Sequence, residues 1–127
     1  MIMITLLSAV SAVSVQPYAS THIISTEAHF TYKGGGDLDI EFSVIGTRTM
    51  IDVGASTITV YNSKGTQVAR FTPSSYPNMM GSNSVAHGGV VTFSGTPGQM
   101  YYAEVEFYAR DSRGSDTVTY LVDSMTA

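Results

Sequence analysis

The chain has 127 residues, 43% of them hydrophobic and only 13% charged, with a net charge of −4. That length fits one domain of ordinary size, and so small a charged share excludes a disordered acidic tail, a coiled coil and a polar linker. Six Lys and Arg in total argue against a nucleic-acid footprint, which needs clustered basic residues, and against a polybasic membrane patch.

No formal charge precedes Glu27, and residues 1–15 read MIMITLLSAVSAVSV, apolar and small throughout. Three readings compete. As a secretory signal, the segment has an apolar core and Val10-Ser11-Ala12 as a small-x-Ala cleavage site, but it lacks a basic n-region. As a retained β-strand, it would present Ile4, Leu6, Val10 and Val13 to a partner sheet. As an artefact, it would be a misassigned start or a leader. A transmembrane anchor would need about 20 apolar residues without polar interruption. Gln16-Pro17-Tyr18 reads as a hinge, so residues 1–19 form a leader, signal remnant or donor strand, and residues 20–127 form the domain.

Beyond the hinge, period-2 alternation recurs and helix periodicity is almost absent. A first strand is expected at Ile23–Tyr32, followed by the loop Lys33-Gly34-Gly35-Gly36. In Asp37–Ile45, Leu38, Ile40, Phe42 and Val44 alternate with Asp37, Asp39, Glu41 and Ser43, the pattern of a half-buried antiparallel strand. Ser56–Tyr61 and Thr66–Phe71 flank Asn62-Ser63-Lys64-Gly65 as a hairpin, with Ile58 and Val60 set against Val68, Ala69 or Phe71. Thr72–Gly89 carries Pro73, Pro77, Asn78, Gly81, Asn83, Gly88 and Gly89 and reads as irregular. Val90–Ser94 is a short strand, and Gly95-Thr96-Pro97-Gly98 is a turn. In Met100–Arg110, Tyr101, Ala103, Val105, Phe107 and Ala109 share one face; Tyr102, Glu104, Glu106, Tyr108 and Arg110 share the other. Asp111–Asp116 turns the chain into a last strand, Thr117–Val122. The expected architecture is all-β, a seven-stranded antiparallel β-sandwich.

The stretch Gly95–Ala109, GTPGQMYYAEVEFYA, resembles the sixth strand of fibronectin type III and immunoglobulin-like sandwiches. The resemblance implies that Tyr101 forms a tyrosine corner, its hydroxyl bonded to backbone near Gly95–Gly98. The hairpin TITVYNSKGTQVARF looks like the central hairpin of many bacterial sandwich domains. With NMMGSNSVAHGGVVTFSG and YYAEVEFYARDSRGSDTVT, the chain is similar to small exported proteins of Gram-positive bacteria whose function is uncharacterised. That resemblance implies a secreted or cell-surface location. It specifies little about function, because sandwiches host adhesins, receptors and fibre subunits alike.

Catalytic motifs are missing. G-x-S-x-G and the P-loop pattern do not occur, and Gly34-Gly35-Gly36 lacks the Lys and the helix that phosphate binding needs. With no cysteine, disulfides, thiolate metal sites and Cys nucleophiles are excluded. His22, His29 and His87 match no metal-binding spacing, and His22 and His29 fall on opposite faces of one strand. Asp37, Asp39 and Glu41 recur about 6.8 Å apart, but a straight row cannot wrap a calcium ion without a loop; a solvated face is the favoured reading. Asp111 and Asp116 read as turn caps. Glu104 and Glu106, neighbours on an open face, make no glycosidase cleft.

Without tryptophan, a binding face must rely on Tyr and Phe. Tyr102, Glu104, Tyr108 and Arg110 form the candidate face, for a protein or glycan ligand; the competing reading is a cross-strand ladder that stabilises the sheet. The expected function is a non-catalytic binding or adhesion module, exported and without cofactor, metal, nucleic-acid partner or mature membrane span. The alternative is a self-assembling fibre subunit that inserts residues 1–15 as a strand of a neighbour's sheet.

Overall fold

A computed structural model of the chain describes residues 20–127. Its strands are β1 (Ile23–Gly34), β2 (Asp37–Asn62), β3 (Gln67–Phe71), β4 (Met80–Ser94), β5 (Met100–Asp111) and β6 (Gly114–Thr126), with one 3-10 turn at Pro77–Met79. All pairings are antiparallel, within one six-stranded sheet. Among the described residues, no helix is long and apolar enough to cross a membrane.

The sheet is organised by β2, which spans 26 residues. Its first part pairs with β1 on one edge and with the second part of β4 on the other. Its second part keeps β4, and then β3, on that same edge, while β5 takes the place of β1. The exchange occurs where the β2–β4 register breaks between Ile45 and Met50. Strands that bend and change neighbours in this way make the corners of β-sandwiches. The sheet curls, a form compatible with a sandwich, and the inner side chains of both parts join one core containing Leu38, Ile40, Phe42, Ile58, Val105 and Phe107.

Six strands replace the seven expected, because the separate strands Asp37–Ile45 and Ser56–Tyr61 are one. The linking GTRTMIDVGA is rich enough in β-branched residues to stay extended. Gly54 lies within it because a Cβ there would sit 2.3 Å from the carbonyl oxygen of Met79. The supposed irregular stretch also shortens, since β4 begins at Met80. Gly89 does not break β4: a Cβ at this position would come 2.9 Å from the Phe42 ring. Glycine inside a strand here marks close approach rather than a turn.

A bulge keeps the hydrophobic pattern of β2 in phase. Val53 and Ala55 point inward, as do Ile58 and Val60, so the inward parity changes between Ala55 and Ile58. The β2–β5 register slips between Ala55 and Thr57, leaving Ser56 as the extra residue. The Ser56 hydroxyl lies 3.0 Å from both the carbonyl oxygen and Oε1 of Glu106. In the hairpin, Ile58 pairs with Phe71 and Val60 with Ala69, while Val68 faces solvent.

Candidate functional site

On β5, Tyr101, Ala103, Val105, Phe107 and Ala109 are buried, and the residues between them reach solvent. Tyr102, Glu104, Tyr108 and Arg110 therefore share the outer face, but they do not converge. Eight residues of strand separate Tyr102 from Arg110, about 27 Å. At one end Tyr102 stacks on Tyr61 of β2, ring centroids 5.1 Å apart and planes 19° apart. Desolvation, followed by the neighbouring Glu104 carboxylate, raises the Tyr61 hydroxyl above its ordinary pKa. At the other end Arg110 holds Asp52 through Nε and Nη2, both 2.8 Å from Oδ2. Tyr120 does not extend this face, because Val122 beside it on β6 is buried and the Tyr120 ring packs edge-on against Phe107 in the core. Ile4, Leu6, Val10 and Val13 lie outside the described residues.

Asp39 and Glu41 occupy the outer face of the other part of the sheet, where neighbours engage them. Thr92 Oγ1 donates to Asp39 at 2.7 Å, with Lys33 Nζ 3.7 Å away. Thr31 Oγ1 donates to Glu41 at 2.7 Å, with His29 3.7 Å away. Among the described residues, no group of three or more His, Asp or Glu is placed to hold a metal ion.

The most concentrated polar chemistry lies where the sequence showed only turn caps. His22 is buried just before β1, with Nδ1 3.0 Å from Asp116 Oδ2 and Nε2 3.1 Å from Asp111 Oδ1. Asp111 ends β5 and accepts from Arg48 Nη1 and from the Arg113 N–H, each at 2.8 Å. The latter bond is the expected turn cap. Asp116, on β6, caps a distant segment instead. It accepts from Ser20 Oγ and the Thr21 N–H at 2.8 Å, and from the His22 N–H at 3.0 Å. The Arg113 N–H, then His22 and Arg48, bring the Asp111 pKa down to about 2 against the opposing effect of burial. His22, then Ser20, brings Asp116 to about 2. The Asp116 hydrogen bond raises the His22 pKa above 6.5; burial opposes it and Asp111 adds to it.

Residues 89 and 94 apart in sequence meet in this cluster, and no local spacing could have disclosed it. The one available signal was an uncompensated histidine at the edge of an apolar strand. Comparison with protein-family models, with curated proteins and with solved structures finds no match to this chain.

Proposed function

We propose that this chain is a non-catalytic binding module, exported to the cell surface or medium, that engages a protein or glycan through the outer face of β5. The observation that carries the reading is the Tyr61–Tyr102 stack beside Glu104, half-exposed on a rigid sheet. Tyrosine rings with a hydroxyl and a neighbouring carboxylate suit a sugar or a polar peptide surface. The polar cluster around His22 supports a non-catalytic role. Both imidazole nitrogens face aspartate oxygens, at 3.0 and 3.1 Å; the Ser20 hydroxyl donates to Asp116, and the Thr21 hydroxyl, 2.9 Å from Nδ1, shares that nitrogen with Asp116, so neither hydroxyl faces a free base. The N–H of Thr96 donates to Tyr101 Oη at 2.9 Å, as a tyrosine corner requires, and this supports a sandwich of the fibronectin type III or immunoglobulin kind. The apolar run before Val10-Ser11-Ala12 supports export, and a chain without cysteine would be exported without disulfides.

The full chain should cosediment with at least one of insoluble chitin, cellulose or peptidoglycan sacculi, or be retained by an immobilised extracellular-matrix protein. Tyr102→Ala should weaken that binding about tenfold or more, as truncation of an aromatic anchor does. Retention unchanged in both Tyr102→Ala and Tyr61→Ala would remove this face from the proposal.

A second reading, the fibre subunit, draws on β4. This 15-residue strand contains no Asp, Glu, Lys or Arg and pairs with no strand but β2 within the described sheet, though Asn78 engages it at the Val90 carbonyl and the His87 ring. By contrast, β1 carries Glu27 and Lys33, and β6 carries Asp116 and Asp123. Charge on an edge discourages strand addition, so β4 is the edge best suited to accept residues 1–15 of a second copy. Light scattering distinguishes the readings: a fibre subunit polymerises as the full chain and loses polymerisation in Val10→Asp/Val13→Asp.

A further inference from the structure

The start of β1 and the β5–β6 hairpin are held together across a gap in the sheet. Strands β1 and β6 run close to one another, yet no ladder joins them; the sheet order runs β1-β2-β5-β6. The His22 cluster bridges that gap near the hairpin turn. A carboxylate oxygen accepts hydrogen bonds and cannot donate. Nδ1 and Nε2 each face such an oxygen, at 3.0 and 3.1 Å, so the arrangement is complete only when both ring nitrogens carry hydrogen, that is, as imidazolium.

We infer that His22 is a proton-operated clasp: as the imidazolium it binds the start of β1 to both arms of the β5–β6 hairpin beside its turn, and on losing a proton it loosens that junction. The groups facing it are Asp111 from β5, Asp116 from β6 and the Thr21 hydroxyl, which is 2.9 Å from Nδ1. Arg48 of β2 reaches it through Asp111. Neutral imidazole has one N–H and one lone pair, so one carboxylate then faces a lone pair. The β2 side is unaffected by this change. The N–H of Thr47 donates to the His22 carbonyl, and Thr47 Oγ1 donates to the Thr21 carbonyl, both at 2.9 Å. Opening therefore parts β1 from the hairpin without unzipping β1 from β2.

The sign of the pH dependence follows from linkage. The folded His22 pKa is raised, so its contribution is complete below about 6.5 and disappears as pH rises through the folded value. The two aspartates, held at about 2, contribute fully above about 4 and lose that contribution as pH falls toward 2. The clasp is tightest between these limits, in mildly acidic solution.

Hydrogen exchange on the full chain tests this through the Thr21 and His22 amides, both of which donate to Asp116. After correction for intrinsic exchange, their protection should fall by up to tenfold per pH unit above about 6.5 and level off beyond the His22 transition. The amides of Val105 and Phe107 should show no such step. In His22→Gln, protection of Thr21 should be low and flat over the same range. Flat wild-type protection, or an unchanged slope in His22→Gln, would overturn the inference. Should His22→Gln not fold, Asp116→Asn retains the Asp111 arm, and the imidazole resonances of His22 should then titrate lower than in wild type. Identical titration in Asp116→Asn would equally overturn it.

Discussion

The inner face of β5 and the His22 cluster at its far end both hold strands together, by opposite means. Along β5 the ties are dispersed and apolar. Phe107 is fully buried, with Ala55 and Val118 as its partners on the flanking strands. At the cluster, one imidazole joins segments that share no ladder. Apolar burial is non-directional and indifferent to pH, so the sheet it supports has one state. A charged tie depends on a single proton and can be undone without disturbing the core. The contrast separates the part of this molecule that specifies the fold from the part that can respond to conditions.

The largest effect should come from the apolar side. Phe107→Ala removes a ring packed in the core and should cost about 3–5 kcal/mol, measured by urea unfolding. The loss should be the same at pH 5.5 and pH 8, whereas the effect of His22→Gln should be greater at the lower pH. If the Phe107→Ala loss varied with pH as strongly as that of His22→Gln, core and clasp would be one cooperative unit and the distinction would fail.

Tyr101 lies on the inner face of β5 at the end away from the His22 cluster, and Tyr101→Phe tests that end. Its ring packs edge-on to Phe93 with centroids 4.8 Å apart, and its hydroxyl accepts from the Thr96 N–H. Removing only the hydroxyl should cost about 1 kcal/mol, since Thr96 is exposed and water can replace the lost acceptor. Thermal denaturation across pH should show a uniform downward shift. A pH-dependent shift would mean that the turn is coupled to the clasp.

Legibility in the sequence divides along the same line. The inward and outward residues of β5, the face of Leu38 to Val44 and the hairpin around Asn62–Gly65 could all be read because strand alternation is local. The merger of two strands into β2 could not. The register break between Ile45 and Met50 redirects β2 and the bulge at Ser56 changes its phase, neither ending the strand, and both are decided by what packs alongside. Gly88 and Gly89 were misleading for a related reason: their lack of a side chain accommodates a partner's contact, which is invisible along one chain. On the candidate face, the alternation placed Tyr102 and Arg110 together, but only the register joined Tyr102 to Tyr61 and Arg110 to Asp52.

The smallest effect isolates burial from charge. Asp52–Arg110 and Asp111–His22 are both ion pairs at the end of β5, but the side chains of the first are 33% and 43% exposed and those of the second 8% and 9%. An exposed pair gains little over its hydrated partners, so Asp52→Asn should cost about 0.2–1 kcal/mol at low salt. In 1 M NaCl the screening length falls to about 3 Å, and that cost should vanish. The clasp, shielded from the same ions, should keep its pH step in exchange at 1 M NaCl. Loss of both effects together would mean that solvent reaches His22 as freely as Arg110, and that burial does not distinguish the two pairs.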